Sequence, residues 1–208
     1  ELDLDDSASV ERAAAQVIEL TGGRLYGLFN NGGFGLYGPL QTISRQQLEK
    51  QFSTNLFGTH QLTQLLLPAM LPNGEGRIIQ TSSVMGLVST AGRGAYAASK
   101  YALEAWSDAL RMELHDSGIH VSLIEPGPIS THFTQNVNQA QVDKPVSNPG
   151  IAKRFTLPPE AILPKLRHAL ESPRPQLRYP VTLVAHALTI LRRILPGRML
   201  DKVLRGNS

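Results

Sequence analysis

The chain has 208 residues, of which 41% are hydrophobic and 18% charged, values typical of a single soluble globular domain over 1–208. It contains no cysteine, which excludes disulfides, thiolate metal sites and cysteine nucleophiles and fits a cytoplasmic location. The six histidines lack metal-binding spacing, so we expect no metal. From residue 151 onward, 11 lysines and arginines accompany 3 acidic residues. These basic residues are scattered and lack interleaved aromatic side chains, so we expect no nucleic-acid partner.

Short apolar runs alternate with helical patterns along the first 125 residues. The capping-box pattern of Ser44 and Gln47 marks the start of one helix. Apolar rather than alternating strands are typical of a parallel sheet that helices cover on both faces. The pattern therefore predicts an α/β fold with strands over 2–4, 26–30, 77–82 and 120–125, and helices over 9–20, 45–70 and 95–116.

The second half of the chain begins with a stretch that lacks periodicity. We interpret 132–158 as a long functional or mobile loop. A helix interrupted by Pro164 is predicted over 158–171, a strand over 177–181, and a helical extension over about 182–208. The apolar run 181–191 is too short to span a bilayer. We expect it to pack on the body of the protein, and the alternative is an amphipathic helix lying on a membrane or a partner.

The segment 33–38 has the G-x-G-x-x-G spacing of a dinucleotide-binding loop. In that motif the third glycine opens a helix whose amides face the pyrophosphate. Here Gly38 is followed by Pro39, and the capped helix begins only near Ser44. We therefore interpret these glycines as part of a strand end, at the sheet edge where ligands approach the backbone.

A stronger chemical signal lies at the predicted start of the helix 95–116. Tyr96 and Lys100 are four residues apart and share one helical face. An ammonium about 4 Å from the phenol, worth roughly 4 kcal/mol, is expected to lower its pKa by roughly three units. That shift would suit Tyr96 to general acid/base catalysis, with Ser83 bonding the same substrate oxygen. Taken alone, this spacing is more typical of an amphipathic helix surface.

The order of several elements resembles the short-chain dehydrogenase/reductase family, in the branch built around Asn-Ser-Tyr-Lys. The elements are a polar strand end at 30–33, Asn55 within a helix, Ser83 thirteen residues before Tyr96, the Tyr96–Lys100 pair, and a Pro-Gly strand end at 126–127. The resemblance implies a Rossmann-like doubly wound parallel sheet. It also implies an oxidoreductase that transfers hydride between NAD(P)(H) and an alcohol or carbonyl.

The resemblance assigns a catalytic role to each residue of the set Asn55, Ser83, Tyr96 and Lys100. Tyr96 would donate the proton, Lys100 would lower its pKa and bind the nicotinamide ribose, and Ser83 would orient the carbonyl. Asn55 would hold open a helix carbonyl for a water that links Lys100 to solvent. The residues implied to contact the cofactor, besides Tyr96 and Lys100, are Asp3, Leu4, Asn30, Asn31, Gly32, Pro126, Gly127, Ile129 and Thr131.

The chain also departs from the family pattern. Gly32 stands where the family usually has alanine, which we expect to loosen the strand end. The family's T-G-x-x-x-G-x-G loop does not occur, so we expect an N-terminal β-α-β-α portion to be missing from this chain. Cofactor choice is normally decided in that portion, and we favour NADP(H) over NAD(H) on resemblance alone. The family usually forms dimers or tetramers through two long helices, here predicted over 45–70 and 95–116.

Three functions remain open from the sequence. The first is a reductase or dehydrogenase for a lipophilic aldehyde, ketone or sterol-like alcohol, with a lid containing Phe133, Val137, Ile151 and Phe155. The second is a non-catalytic, truncated binding or scaffold protein. The third makes Ser83 a hydrolase nucleophile, although no G-x-S-x-G elbow surrounds it.

Overall fold

The computed structural model describes residues 1–130, 133 and 155–205. Most of the predicted loop 132–158 therefore lies outside the described residues, together with Thr131, Val137 and Ile151. None of the helices within the described ranges is both long and apolar enough to cross a membrane. In the same ranges, no group of three or more histidine or acidic side chains is arranged to hold a metal ion.

The helices and strands alternate as the sequence predicted. The strands are Gly27–Asn30 (β1), Gly76–Thr81 (β2), Ile119–Glu125 (β3) and Arg178–Pro180 (β4). The helices are Ser7–Leu20 (α1), Arg45–Phe52 (α2), Gly58–Met70 (α3), Gly94–Glu113 (α4), Leu163–Glu171 (α5), Leu183–Ile194 (α6) and Gly197–Arg205 (α7).

The four strands form one parallel sheet in the order β1-β2-β3-β4. Asn30 pairs with Gln80, and Thr81 pairs with Ile124, so the carboxyl ends of β1, β2 and β3 meet at one edge. In parallel sheets with helical crossovers, this edge is where ligands bind. The topology therefore brings the polar strand ends together with the start of α4.

Helices cover both faces of the sheet, which confirms the α/β, Rossmann-like doubly wound architecture. On one face, α1 and α3 pack over Leu28, Ile78 and Val121, and the end of α4 reaches the same cluster. On the other face, α5 packs over Ile79, Ile124 and Tyr179. Successive residues of a strand point to opposite faces of the sheet. A strand that is apolar at every position therefore contributes side chains to the hydrophobic cores on both faces.

Three local predictions need correction. Residues 2–4 were predicted as a buried strand end, but they pair with none of the four strands and Leu2 is exposed. Apolar character alone does not make a strand, because a strand needs a neighbour for its backbone groups. The helix predicted over 45–70 is divided by a wide π-helical turn, Ser53–Phe57. Pro164 stands in the first turn of α5, where it is tolerated, rather than interrupting a helix.

Candidate active site

The first two turns of α4 place Tyr96 and Lys100 side by side beneath the sheet edge. Both are almost fully buried, with 6% and 4% of their surfaces exposed. The Lys100 Nζ lies 5.9 Å from the centre of the Tyr96 ring and donates to the Thr81 carbonyl at 2.7 Å. The four-residue spacing thus produces a packed pair at the end of β2. The amphipathic-surface alternative does not fit, since neither side chain faces solvent.

The predicted lowering of the Tyr96 pKa is wrong for this structure. Burial raises the pKa of the phenol, and the nearby Tyr37 adds to the increase. A hydrogen bond with Ser83 and the charge of Arg93 act in the opposite direction but do not outweigh burial. The sequence argument assumed an ammonium about 4 Å from the phenol and ignored desolvation, which disfavours the phenolate. Tyr96 is therefore held protonated.

Lys100 has the opposite perturbation for the same physical reason. Burial lowers the pKa of its ammonium to about 8, while the carboxylate of Glu104, one turn further along α4, acts in the other direction. The side chain is therefore a buried cation near neutral pH, with the Thr81 carbonyl and the carboxylate of Glu104 as neighbours. A ligand that binds next to such a group readily shifts its pKa.

Ser83 follows β2 and caps a short 3₁₀ turn, Val84–Gly86, by accepting from the Met85 amide at 3.1 Å. Its hydroxyl also lies 3.5 Å from the Pro126 carbonyl and bonds the Tyr96 side chain. This cap fixes the hydroxyl beside the phenol. The structure therefore brings together Ser83, Tyr96 and Lys100, as the sequence predicted.

Asn55 lies in the π-helical turn and is 1% exposed. Its amide donates to the Phe34 carbonyl at 3.0 Å and to Ser99 Oγ at 3.1 Å, and its oxygen accepts from the Phe34 amide at 3.0 Å. Ser99 precedes Lys100 on α4, so Asn55 links the glycine-rich segment 33–38 to α4. The sequence analysis did not predict these hydrogen bonds between Asn55 and the backbone of Phe34.

Gln51 is a second clamp that the sequence analysis missed. It is completely buried, accepts from the Leu36 amide at 2.6 Å and donates to the Phe34 carbonyl at 2.9 Å. Together with Asn55, one turn later, it satisfies the backbone of the segment 33–38. The capped helix α2 begins only at Arg45, so this segment is a loop anchored by side chains and not the start of a helix. The sequence feature that could have indicated this role is the four-residue spacing of the amide side chains of Gln51 and Asn55.

The residues implied to meet the adenosine half of a cofactor lie around the end of β1. Asn30 donates to Thr63 Oγ1 on α3 at 3.0 Å, and Asn31 accepts from Thr81 Oγ1 at 2.8 Å. Leu4, next to Asp3, packs against the edge of the core. A Cβ built on Gly32 would lie 2.6 Å from Leu4 Cδ1.

This contact changes the expectation that Gly32 loosens the strand end. The space that an alanine methyl would need is already taken by Leu4. Gly32 and Leu4 are therefore complementary in volume, and the contact is close rather than loose.

The residues implied to meet nicotinamide follow β3. The Pro126 carbonyl accepts from the Val84 amide at 3.0 Å, which ties the strand end to the turn after Ser83. Gly127 lies against Thr182, since a Cβ at this glycine would be 2.1 Å from Thr182 Oγ1. Thr182 caps the N-terminus of α6. Ile129 pairs with Leu157 in an isolated parallel bridge, whereas Thr131 lies outside the described residues.

Aromatic and aliphatic side chains surround the Tyr96 ring. Tyr37 and Phe133 lie 5.8 and 5.5 Å from it, measured between ring centres. Ala185 and Leu188 of α6 and Leu200 and Leu204 of α7 belong to the same cluster. The C-terminal helices therefore pack above the site, and Tyr37 is a neighbour that the sequence analysis did not identify.

A group of charged side chains, of which Glu104 and Glu125 are buried, lies beyond Lys100 on α4 and the neighbouring strands. Arg178 of β4 contacts Glu104 at 3.0 Å, Asp108 at 2.7 Å and Glu125 at 3.3 Å. Burial raises the pKa of Glu125 to about 7, with Glu104 adding to the increase and Arg178 opposing it. This group joins β3, β4 and α4, and it was not predicted because its members are far apart in sequence.

The site was predicted to hold a nicotinamide cofactor, and two observations fit that group. An ammonium has three donors, and the bond to Thr81 uses one of those of the buried Lys100. A Cβ built on Gly33 would lie 3.1 Å from Asn55 Oδ1 and 3.7 Å from Lys100 Nζ, so the bare glycine backbone keeps the surroundings of the ammonium open. Ribose hydroxyls are suitable acceptors for such a donor.

Comparison with known proteins shows the family of this chain. A model of the short chain dehydrogenase family matches residues 1–142. The uncharacterised oxidoreductase YbbO of Escherichia coli K12 is 71% identical over 205 residues, covering 99% of this chain and 76% of that protein. The NADPH-dependent 3-dehydrocapnine reductase of Ornithobacterium rhinotracheale is 34% identical over 220 residues, covering 97% and 77%.

Among solved structures, a short-chain dehydrogenase from Streptomyces avermitilis has a TM-score of 0.79 at 29% identity, covering 100% of this chain and 79% of that one. Fold, site and matches define the class of protein, an α/β oxidoreductase. Within that class, the chain belongs to the short chain dehydrogenase family.

Proposed function

We propose that the protein reduces a carbonyl group on a lipophilic substrate with NADP(H), and that Tyr96 is the proton donor. The observation that carries this proposal is the buried Tyr96 hydroxyl, bonded to Ser83 and packed beside the Lys100 ammonium at the sheet edge. A bound nicotinamide supplies the hydride. The residues of this chain then have to orient the carbonyl and deliver one proton to its oxygen.

Each polar residue has a distinct task in this scheme. Ser83 donates a hydrogen bond to the carbonyl oxygen and holds it against the Tyr96 hydroxyl. Tyr96 transfers its proton to that oxygen as negative charge develops there. Lys100 stabilises the resulting phenolate and binds the nicotinamide ribose. Because burial raises the pKa of Tyr96, its hydroxyl carries the proton that the reduction requires.

Asn55 is proposed to support proton resupply. Through Ser99 and Phe34 it fixes the position of the first turns of α4 relative to the loop 33–38. The wide π-helical turn around it is a feature often found at functional sites. We propose that this turn leaves a carbonyl for a water that connects Lys100 to solvent.

The preference for a lipophilic substrate rests on the surroundings of Tyr96. The rings of Tyr37 and Phe133 and the aliphatic side chains of Leu188 and Leu200 form an apolar wall beside the phenol. Removing an alkyl chain from water into such surroundings is favourable, by about 0.8 kcal/mol for each CH₂. The lid role of the loop 132–158 remains part of this proposal.

The cofactor residues and the choice of NADP(H) are also proposals. One relative is named as NADPH-dependent. We propose contacts of the adenosine half with Asp3, Leu4, Asn30, Asn31 and Gly32. For nicotinamide and its ribose we propose Lys100 and Tyr96 together with the segment after β3, namely Pro126, Gly127, Ile129 and Thr131.

Three further predictions are carried forward with this function. We propose one domain over 1–208, a cytoplasmic location, and a homodimer or homotetramer. The apolar groove between α3 and α4, which contains His60 and Trp106, supports the proposed subunit contact. The indole nitrogen of Trp106 donates to His60 Nδ1 at 3.2 Å across this groove.

The test is a screen of NADPH and NADH oxidation by the full-length protein over aldehydes and ketones of increasing alkyl length. Tyr96→Phe is expected to lower kcat by roughly 10²–10⁴-fold, the usual contribution of a positioned proton donor. Tyr26→Phe is the matched control, because its hydroxyl bonds the Leu170 carbonyl and lies on an exposed side chain. Full reductase activity in Tyr96→Phe would refute the proposed mechanism.

A further inference from the structure

The helices α6 and α7 have two different apolar faces. The inner faces, which include Ala185, Leu188, Leu200 and Leu204, pack around Tyr96. The outer faces also carry apolar side chains, and these are exposed. They are Leu183, Ile190 and Ile194 on α6 and Met199 and Val203 on α7, which we call the outer apolar side chains.

The outer apolar side chains follow helical spacing. On α6, Leu183, Ile190 and Ile194 occupy positions i, i+7 and i+11, which lie along one stripe of a helix. They are 74%, 57% and 70% exposed, respectively. On α7, Met199 and Val203 are four residues apart and likewise share a face. A stripe of this kind is typical of a helix whose second face is also covered.

Positive charges flank these stripes. Arg198 and Lys202 precede Met199 and Val203 by one residue each, so a basic row runs beside the apolar row on α7. Arg193, between Ile190 and Ile194, is also exposed. Over 183–205 the sequence has five lysines and arginines and a single acidic residue, Asp201.

The positive charge indicates whether this surface binds a second copy of the chain or a lipid membrane. If two copies of the chain met symmetrically through this surface, basic rows would face basic rows, which is unfavourable. An anionic lipid surface complements both the positive charge and the exposed apolar groups. Arg192 does not belong to this outward set, because it bonds the Leu87 carbonyl and stacks on Tyr101.

We propose that α6 and α7 dock the protein on the surface of an anionic lipid bilayer. The outer apolar side chains enter the region between headgroups and acyl chains, and Arg193, Arg198 and Lys202 contact the headgroups. Because the same two helices pack around Tyr96 on their inner faces, docking brings the site to the surface where a lipophilic substrate is dissolved. Only this last consequence rests on the proposed function, since docking itself requires neither substrate nor cofactor.

The experiment is flotation of the full-length protein with vesicles of phosphatidylcholine alone or mixed with phosphatidylglycerol, at low and high salt. Binding is expected to the mixed vesicles and to weaken with salt. The double variant Ile190→Ser/Ile194→Ser is expected to lower the partition coefficient by at least about tenfold. The double variant Arg198→Glu/Lys202→Glu is expected to abolish the preference for phosphatidylglycerol.

A matched control uses exposed leucines elsewhere. Leu20→Ser/Leu163→Ser removes side chains that are 80% and 57% exposed at the end of α1 and the start of α5. This control should bind vesicles like the parent protein, and thermal unfolding would verify that all variants are folded. Absence of parent binding to mixed vesicles, or equal losses in the control and the Ile190→Ser/Ile194→Ser variant, would overturn the proposal. A change in the sedimentation mass of that variant without any change in vesicle binding would also overturn it, in favour of a second copy.

The two proposals can fail separately. Activity on a short, water-soluble aldehyde is measured in the absence of vesicles. If Tyr96-dependent NADPH oxidation persists while vesicle binding is absent, docking is refuted and the proposed function stands. If vesicles bind as expected while no carbonyl is reduced, docking stands and the proposed function is refuted.

Discussion

The buried ammonium of Lys100 provides a direct test of the electrostatics of the site. Burial lowers its pKa from 10.5 to about 8, because it takes the charged ammonium out of water and the charge of Glu104 offsets only part of that cost. Replacing it in the variant Lys100→Met keeps a long apolar side chain and removes the titrating group. The comparison of the two proteins should therefore depend on pH in a way that a purely structural contact does not.

The sign of this dependence follows from proton binding. Below pH 8, Lys100 is charged in both the folded and the unfolded chain, and burial of the ammonium lowers the free energy of unfolding by its full amount. Between pH 8 and 10.5, the unfolded chain still holds the proton but the folded chain does not, so the free energy of unfolding rises with pH. The shift from 10.5 to about 8 corresponds to roughly 3 kcal/mol.

The assay is urea unfolding of the parent and of Lys100→Met at about pH 7 and about pH 10.5. The stability of the variant relative to the parent is expected to fall by roughly 3 kcal/mol between these values. The lost bond to the Thr81 carbonyl contributes a constant that cancels in this comparison. Lys50→Met, at an exposed position of α2, controls for the loss of a positive charge. A relative stability of Lys100→Met that is the same at both pH values would refute the reasoning.

Three other predictions can be checked by the same unfolding assay. Gly127→Ala should destabilise the fold by about 2 kcal/mol through its contact with Thr182, and Thr182→Ala should recover part of that loss in a double-mutant cycle. Gly32→Ala should cost about 1 kcal/mol and be relieved by Leu4→Val, whereas additive effects would argue against this contact. Arg178→Met should cost about 3 kcal/mol near neutral pH, because Glu104 and Glu125 lose their contact with the guanidinium and Asp108 keeps only Arg111, and the loss should shrink on acidification. A loss that does not vary with pH would contradict this account.

Local signals in the sequence were sufficient for much of the fold. The strands β2 and β3 were located within a residue because buried parallel strands are short apolar runs with turn residues on each side. The start of α2 was predicted because the capping box of Ser44 and Gln47 acts entirely within four residues. The end of α4 at Glu113, before the expected 116, was less well predicted because helix ends depend on later contacts.

Errors arose where a property depends on neighbours distant in sequence. Residues 2–4 have the composition of a strand but no strand beside them in the described chain. The Tyr96 pKa moved in the opposite direction to the prediction because spacing on a helix says nothing about burial. Gln51 was missed because a glutamine is usually exposed, and only the loop folded over it makes it a buried clamp.

By itself, the sequence determined the alternation of strands and helices and the spacing that places Tyr96 and Lys100 on one face of α4. Both follow from period and propensity, which act over a few residues. Only the tertiary structure decided which further groups surround that pair: the ring of Tyr37, the bond of Asn55 to Ser99, and the apolar side chains from α6 and α7. Desolvation and charge interactions depend on distances through space, so the protonation of the site is a property of the folded molecule.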